Sequence, residues 1–347
     1  MTGVGTRAAP RRARRGRGAK LRAVLTLAVA GVACESSPGA GVAQVASAGP
    51  RGNPPRASAS ASASPSAAAS TGSGARAPAE ERTWIWETSA VGRMHVVVSL
   101  PPRRVGERFP VLIAFHGRGE AQKGAARGAR GWIDDYGLPR ALQRLVAPPL
   151  TASDLMEVGD EELLSKLNAD LRREPYRGLV VVTPYTPDIL AGDRAFSRAE
   201  PLARFVVDEL LPRVRSETPC LEGAARVGLD GVSLGGRAAL LVGLARPESF
   251  GAVGTLQPAF DSADAPDLAR RAQRARERNP TLSLRLLTSR ADFFLLSTRA
   301  ISSAFTALGV HHELRVVPGP HDYEFNRGPG VYEMLLFHDR ALRRAAR

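Results

Sequence analysis

Asp230-Gly231-Val232-Ser233-Leu234-Gly235-Gly236 is the stretch of this 347-residue chain that decides its fold. The residues just before it, Arg226 to Asp230, predict a short strand, and Gly236 to Ala245 predicts a helix. A G-x-S-x-G string between a strand and a helix forms a sharp turn that exposes the serine hydroxyl. Glycines on either side allow the strand and the helix to approach closely. We therefore predict that Ser233 is a nucleophile.

Strands and helices alternate on both sides of this turn. Continuous apolar runs indicate strands that are buried on both faces, and apolar residues at helical spacing indicate helices between them. The predicted strands are 83–88, 94–100, 109–115, 178–183, 226–230, 252–256, 282–287 and 312–317, and the predicted helices are 138–146, 202–214, 236–245, 268–278, 295–308 and 331–344. This order predicts an α/β fold: a mainly parallel sheet, helices on both faces and antiparallel opening strands.

One segment breaks this alternation. Residues 118–177 separate two buried strands by far more chain than a crossover helix needs. Long excursions of this kind in compact domains are often lids or binding loops. The segment is therefore predicted to be either a lid or a surface insertion, and the sequence leaves both open.

A serine nucleophile needs a base, and histidine is the usual one. In sheets of this type the base comes last in the chain, on the loop after the final strand. His321 lies there, whereas His311 and His312 stand at the start of that strand. His95 and His338 lie on an early strand and on the last helix, where structural roles are expected. We predict that His321 is the base.

The carboxylate that orients this histidine should lie between serine and histidine in the chain, just past a strand. Asp292 follows the strand that ends at Leu287 and meets this condition. Asp261 and Asp264, after the preceding strand, are the alternatives, and Asp322 is disfavoured because it adjoins the histidine. The predicted acid is Asp292.

Stabilising the negative oxygen formed during attack requires two N–H donors. One is predicted to be the backbone N–H of Leu234, directly after the nucleophile. The other should come from the turn after the third strand, Phe115-His116-Gly117-Arg118-Gly119. Gly117 and Arg118 are both candidates there, and His116 is expected to have a structural role.

The first 80 residues differ in composition from the rest of the chain. Met1 to Arg22 carries eight basic residues and no acidic one, and the apolar run at 23–33 is too short to span a bilayer. This layout is typical of an export signal. Residues 35–80 are mostly Ala, Ser, Gly and Pro and are expected to be disordered. We predict a signal peptide at 1–34, a tether at 35–80 and a catalytic domain at 81–347.

The net charge of +14 raises the possibility of nucleic-acid binding. Residues 1–80 carry eleven basic and two acidic side chains, whereas the remaining residues carry 37 basic and 32 acidic ones. The excess charge is therefore concentrated outside the predicted domain. No zinc-finger spacing or RNP-like aromatic motif accompanies the basic residues. Nucleic acid is not expected to be a partner.

Gly31-Val32-Ala33-Cys34, at the end of the apolar run, resembles the lipobox of bacterial lipoproteins. In that family the cysteine is lipidated and becomes the mature N-terminus, although Leu or Val usually stands where Gly31 stands here. The alternative is simple export with cleavage, for which Ala46-Ser47-Ala48 offers a later site. We predict an exported protein, membrane-anchored through a lipid on Cys34 or otherwise secreted. Cys220 then lacks a partner and is expected to be a structural thiol.

Phe115-His116-Gly117, the Ser233 turn, Asp292 and Gly319-Pro320-His321-Asp322-Tyr323 together resemble the α/β-hydrolase superfamily. Within it, the chain is similar to the esterase D, enterochelin esterase and feruloyl esterase branch, in which a second glycine often stands where Pro320 stands here. The resemblance covers about residues 83–345. It implies a Ser-His-Asp mechanism through an acyl-enzyme, a small-molecule ester as substrate, and no metal or cofactor.

Other functions share these residues. An acyltransferase similar to mycolyltransferases would use the same triad, with an alcohol or a sugar in place of water. A non-catalytic surface lipoprotein is disfavoured because Ser233, Asp292 and His321 are all present. A peptidase would need an added domain for which the chain is too short. Acyl and alcohol specificity and oligomeric state are not determined by the sequence.

Overall fold

The computed structural model describes residues 2–3, 76–192 and 194–344. Within them, one sheet holds eight strands in the order β1-β2-β4-β3-β5-β6-β7-β8. The strands are β1 (Glu80–Trp86), β2 (Met94–Leu100), β3 (Val111–Phe115), β4 (Val180–Pro184), β5 (Val227–Gly231), β6 (Ala252–Leu256), β7 (Ser283–Ala291) and β8 (Glu313–Pro320). β2 pairs antiparallel with β1 and β4, and the other pairs are parallel. The predicted α/β fold is confirmed.

The helices pack on both faces of this sheet, as predicted. They are α1 (Arg118–Ala121), α2 (Ala125–Gly128), α3 (Leu138–Leu145), α4 (Glu161–Arg173), α5 (Glu200–Arg204), α6 (Leu211–Glu217), α7 (Leu234–Ala245), α8 (Ala265–Arg278), α9 (Leu295–Ala307), α10 (Tyr323–Phe325) and α11 (Val331–Arg344). Short π-helical turns occupy Gly131–Asp135, Phe205–Leu210 and Asn326–Gly330. No helix in the described part of the chain is long and apolar enough to cross a membrane.

Side-chain alternation along the central strands divides the interior into two cores. In β3, Val111, Ile113 and Phe115 join the core beneath α5 to α9. Leu112 and Ala114 join the opposite core, beneath α3, α4 and α11. Because successive side chains of a strand point to opposite faces, a central strand that is apolar at successive positions contributes to both cores. This arrangement explains the continuous apolar runs of the sequence.

Residues 118–177 contribute directly to the second core. Trp132, Leu138, Leu155 and Leu167 from this segment are buried, together with side chains of α11. The segment also leads into α4, which precedes β4 in the crossover from β3. Most of its length is therefore packed into this core, and its first part, from Arg118 to Tyr136, borders the site described below.

Element boundaries differ from the predicted ones in two informative places. β1 begins at Glu80, three residues before the strand predicted at 83–88, and Ala77 pairs with Arg103 before it. The helix predicted at 202–214 is interrupted by the π-helical turn Phe205–Leu210. The first residues of β1, at 80–82, are polar because β1 is a half-exposed edge strand, so hydrophobicity alone does not predict them as part of a strand.

The turn between β5 and α7 depends on close backbone packing. A Cβ atom at Gly235 would overlap the carbonyl oxygens of Phe115 and His116, which are backbone atoms that cannot rotate away. A Cβ at Gly231 would lie 2.6 Å from the carbonyl carbon of Gly235. Glycine is therefore required sterically at both positions. The turn after β3 and the turn after β5 are pressed together through these contacts.

We expect Gly235→Ala to lower the free energy of unfolding by about 2 kcal/mol, since overpacking against rigid backbone costs roughly that much. Chemical denaturation of purified protein measures this change. Gly236→Ala serves as the graded comparison, because a Cβ there would meet its nearest atoms at 3.0–3.1 Å. A larger loss for Gly236→Ala than for Gly235→Ala would contradict this account.

Candidate active site

Ser233 occupies the turn between β5 and α7 in a strained conformation. Its φ is 57° and its ψ is −113°, a region that non-glycine residues rarely adopt and that costs about 1–3 kcal/mol. The Ser233 N–H donates to the carbonyl of Leu256 at 2.9 Å, and the Ser233 carbonyl accepts from Ala259 N–H at 3.0 Å. The side chain does not cap the helix, which leaves its hydroxyl available. This geometry is that of a nucleophile turn.

His321 and Asp292 form a hydrogen-bonded pair at the ends of β8 and β7. His321 Nδ1 donates to Asp292 Oδ1 at 2.8 Å, and the Asp292 side chain is fully buried. Thr288 Oγ1 donates to Asp292 Oδ2 at 2.6 Å, and the N–H of Phe294 donates to Oδ1 at 2.9 Å. Because both carboxylate oxygens accept hydrogen bonds, the orientation of Asp292 is determined. This orientation leaves His321 Nε2 as the free nitrogen of the ring.

Gln257 links the end of β6, where the Leu256 carbonyl accepts the Ser233 N–H, to the loop that carries His321. It follows β6 directly, has a φ of 47° and is fully buried. Its Nε2 donates to the carbonyl of Pro320 and to Ser289 Oγ, each at 2.7 Å. Its backbone N–H donates to the carbonyl of Leu287 at 2.7 Å. Gln257 therefore holds the residue before His321 at the edge of the sheet where Ser233 lies.

Ser233 and His321 are not hydrogen-bonded to each other in the described part of the chain. Such pairs often align only when substrate is bound. Phe293 packs over the His321 ring with a centroid distance of 4.1 Å and is itself 67% exposed. The histidine is thus partly covered by an aromatic ring at the rim of the site.

The turn after β3 is oriented by a neutral histidine. His116 is buried, which lowers its pKa to about 4. The N–H of Thr186 donates to His116 Nε2 at 2.8 Å, so the proton of the neutral ring lies on Nδ1. Nδ1 donates to the carbonyl oxygen of Gly117 at 2.9 Å. Since this carbonyl and the N–H of Arg118 belong to one planar peptide and point in opposite directions, His116 orients the Arg118 N–H.

The two candidates for the second oxyanion donor are not equivalent. The N–H of Gly117 already donates to the hydroxyl of Tyr136 at 3.1 Å. The N–H of Arg118 lies at the start of α1, where the first N–H groups of a helix have no partner within the helix. Leu234 holds the same position at the start of α7. The arrangement therefore favours Arg118 over Gly117 as the partner of Leu234.

The remaining acidic candidates occupy other places. Asp261 is exposed and forms an ion pair with Arg194 at 3.2 Å. Asp264 pairs with the buried guanidinium of Arg237 at 3.2 Å. Asp322 accepts from the N–H of Phe325 and caps α10. None of these three bonds to His321 in the described part of the chain.

The other histidines and the cysteines have structural surroundings or lie outside the description. His312 directly precedes β8, and its Nε2 lies 2.7 Å from Oγ of Ser302 in α9. His338 is fully buried and bonds to Asp230 at 2.9 Å, and burial lowers the pKa of this histidine. Cys220 is a buried free thiol, as expected. Cys34, with the predicted signal and tether, lies outside the described residues. Among the described residues, no group of three His, Cys, Asp or Glu side chains could hold a metal ion.

Sequence reasoning missed the residues that support the site. Thr288, Gln257, Glu120 and Tyr136 were not identified, because none of them belongs to a recognised motif. One signal was available for Gln257, since polar residues just past the ends of parallel strands meet at one edge of the sheet. No comparable signal exists for Glu120 and Tyr136, which lie in the irregular segment after β3.

Comparison with known proteins adds a family match and similar folds. Residues 189–325 match the family described as Putative esterase. A ferulic acid esterase superposes with a TM-score of 0.56 at 17% identity, covering 76% of this chain and 99% of its own. S-formylglutathione hydrolase from Staphylococcus aureus superposes with a TM-score of 0.54 at 12% identity, covering 76% and 100%. The feruloyl esterase module from Clostridium thermocellum, complexed with sinapinate, superposes with a TM-score of 0.52 at 17% identity, covering 75% and 88%.

No curated protein matches this chain by sequence. The structural similarities, at such low identities, establish the α/β-hydrolase fold. The Putative esterase match agrees with the predicted resemblance to serine esterases of that fold. The predicted resemblance to α/β-hydrolase serine esterases and the prediction of a carboxylic-ester hydrolase are confirmed, whereas the resemblance of Gly31-Val32-Ala33-Cys34 to a lipobox stays a prediction. The individual catalytic residues stay predictions.

Asp292→Asn should lower kcat by about three to four orders of magnitude, because an amide no longer favours the required tautomer of His321. KM should change little, since Asp292 contacts histidine and not the opening of the site. Steady-state hydrolysis of a p-nitrophenyl ester gives both constants.

Asp261→Asn is the matched control, since Asp261 is a carboxylate beside the preceding strand that pairs with Arg194 at the surface. Its kcat should stay within a few-fold of the wild type. A large loss for Asp261→Asn together with a small loss for Asp292→Asn would assign the acid to the preceding strand.

Proposed function

We propose that this protein is an exported serine hydrolase that cleaves carboxylic esters through an acyl-enzyme. The observation that carries the proposal is the combination of a strained serine turn with the His321–Asp292 pair at the same edge of the sheet. The match to the Putative esterase family supports the reaction class. The reaction needs a nucleophile, a base and an oriented carboxylate, and these residues offer all three.

In this mechanism Ser233 Oγ attacks the ester carbonyl carbon. His321 Nε2 takes the hydroxyl proton and passes it to the oxygen of the leaving alcohol as the carbon–oxygen bond breaks. Asp292 stays ionised and stabilises the imidazolium through its bond to Nδ1. Water, deprotonated by the same histidine, then attacks the acyl-enzyme and releases the acid. Ser233 and His321 return to their starting protonation states.

The negative oxygen of the tetrahedral intermediate is assigned to the N–H groups of Leu234 and Arg118. His116 supports the second donor by holding the Gly117 carbonyl in place. The neutral ring also accepts the N–H of Thr186 at Nε2, which fixes its orientation, and burial keeps His116 neutral above about pH 4. Each such donor is worth about 10²–10³ in kcat when removed from comparable sites.

Ser233→Ala should reduce kcat for p-nitrophenyl esters by about a million-fold, because no other group can form the acyl-enzyme. Labelling by a fluorophosphonate probe should be lost, while the circular dichroism spectrum and Tm remain close to wild type. A panel of p-nitrophenyl esters of increasing chain length, with feruloyl and acetylated-sugar esters, defines the substrate class of the wild type.

Labelling of the Ser233→Ala protein at the wild-type rate would refute the nucleophile assignment. Adding an alcohol or sugar acceptor to the same assay tests the acyltransferase alternative. Ester products formed from the acceptor in excess of free acid would assign acyl transfer as the main activity. Free acid as the main product supports hydrolysis.

We further propose that the protein is a lipoprotein anchored through Cys34. The support is the order of the first 80 residues: basic residues, a short apolar run, Gly31-Val32-Ala33-Cys34 and an Ala/Ser/Pro-rich tether. A flexible tether of this composition would hold the catalytic domain away from a membrane surface. Periplasmic or cell-surface placement follows from the same order.

Cys34→Ser should move the protein from the membrane fraction to the soluble fraction of a bacterial host. The reason is that stable anchoring needs more than one acyl chain, and loss of the modified cysteine removes them all. Immunoblotting of the fractions measures the change. Mass spectrometry of the wild type provides the decisive control, because an N-terminus without a lipid-modified cysteine refutes the lipoprotein proposal.

A further inference from the structure

A buried carboxylate joins the turn after β3 to the histidine loop. Glu120 lies in α1, two residues after Arg118, and is 1% exposed. Its Oε2 accepts from the hydroxyl of Tyr136. Its Oε1 accepts from the hydroxyl of Tyr323 at 2.7 Å. Tyr323 stands two residues after His321 in the chain, so one side chain holds both loops.

The Tyr136 hydroxyl extends this connection to Gly117 in the turn after β3. It accepts the N–H of Gly117 at 3.1 Å while it donates to Glu120. A continuous chain of hydrogen bonds therefore runs from the Gly117 N–H through Tyr136 and Glu120 to Tyr323. The rings of Tyr136 and Tyr323 also pack with a centroid distance of 5.8 Å. We call Glu120, Tyr136 and Tyr323 the carboxylate clamp.

Both tyrosines keep their protons, as donation to a carboxylate requires. Burial, followed by the charge of Glu120, raises the pKa of Tyr136 well above its usual range. Burial and the bond to Glu120 raise the pKa of Tyr323 as well. The only cation close to Glu120 in the described residues is Lys123, 3.6 Å from Oε1, and it bonds more closely to Asp135 at 2.7 Å. The two hydroxyls are thus the main partners of the carboxylate.

Two glycines leave space for this carboxylate and for the Tyr136 hydroxyl. A Cβ at Gly131 would lie 2.6 Å from Cγ of Glu120, and a Cβ at Gly117 would lie 2.9 Å from the Tyr136 hydroxyl and 3.2 Å from Glu120 Oε2. A side chain at either glycine would therefore displace residues of the clamp. A buried charge is retained only where it is well hydrogen-bonded, because its desolvation is otherwise costly.

We propose that Glu120 is a positioning residue of the esterase reaction: through Tyr136 and Tyr323 it holds the Arg118 N–H at a set distance from His321. The inference rests on the proposed function, since it assigns a role within that reaction. Both groups act on oxygens bonded to the same carbon of the tetrahedral intermediate. The Arg118 N–H binds the former carbonyl oxygen, and His321 transfers the proton between Ser233 Oγ and the oxygen of the leaving alcohol. β3 and β8 are separated in the sheet by β5, β6 and β7, so no direct strand pairing sets this distance.

A carboxylate that only stabilises the fold would affect stability and leave the chemistry unchanged. A positioning residue predicts a different pattern, since a displacement of about 1 Å can reduce rate by about 100-fold without weakening substrate binding. It also predicts weaker binding of a tetrahedral adduct, because that species uses the oxyanion donors. The separation of kcat from KM and the affinity for a boronic acid therefore distinguish the two roles.

The experiment compares Glu120→Gln and Tyr323→Phe with the wild-type full-length chain. In each, kcat and KM for a p-nitrophenyl ester and Ki for phenylboronic acid, which forms a tetrahedral adduct with a serine nucleophile, are measured. Glu120→Gln should lower kcat by about 10- to 100-fold, raise Ki by a similar factor and leave KM within about twofold. Tyr323→Phe should give a smaller loss of the same kind. The double variant should lose less than the product of the single losses, because both act through one carboxylate.

Tyr332→Phe is the matched control, since Tyr332 is a buried tyrosine on α11 outside the clamp. It should leave kcat and Ki near wild type. The inference is overturned if folded Glu120→Gln and Tyr323→Phe keep kcat and Ki within twofold, or if their losses appear only in KM. Tyr323 is 41% exposed, so Tyr323→Phe decides the question even if Glu120→Gln does not fold. Wild-type protein that neither cleaves the esters nor binds the boronic acid would instead refute the proposed function, and this role with it.

Discussion

The close contact between two backbone turns is the constraint on which the site depends. Gly235 lies against the carbonyl groups of Phe115 and His116, where no side chain would fit. This contact brings the turn after β3 and the turn after β5 together and sets Ser233 at a positive φ. The strain of that residue, about 1–3 kcal/mol, is offset by packing of the two elements on either side. Ser233 and the N–H groups of Leu234 and Arg118, to which the proposed mechanism assigns the nucleophile and the oxyanion donors, are placed by this one arrangement of backbone.

The rest of the site is assembled by polar side chains that cross between strands. Gln257 follows Leu256, whose carbonyl accepts the Ser233 N–H, and donates to the carbonyl of Pro320. Thr288 donates to Asp292, which accepts from His321. On the other side of the site, Glu120 and Tyr136 connect the turn after β3 to Tyr323. Hydrogen bonds of this kind are strong when buried, because the low local dielectric strengthens them and makes a missing partner costly. The site is therefore held from two directions and is not a loose arrangement of loops.

The sequence predicted most of the fold because its signals are local. Apolar runs identified all eight strands, with β2 (Met94–Leu100) and β6 (Ala252–Leu256) correct at both ends. β7 and β8 extend past their predicted ends, to Ala291 and Pro320, because polar and proline residues there continue the ladder at the sheet edge. Hydrophobicity does not detect these extensions, since Thr288 and Ser289 are buried but polar, and the remaining residues are held by pairing with the neighbouring strand.

Three motifs in the sequence indicated where the chemistry lies: the serine turn, the His-Gly turn and the residues around His321. Each is a short string whose function depends on local backbone geometry, so it can be recognised without the fold. Chain order also predicted Asp292 as the acid, with Asp261 and Asp264 as alternatives, and the tertiary structure places Asp292 2.8 Å from His321. The preference for Arg118 over Gly117, and the carboxylate clamp, come only from the tertiary structure. They depend on hydrogen bonds between residues as far apart as Glu120 and Tyr323, and such partners become neighbours only once the sheet has formed.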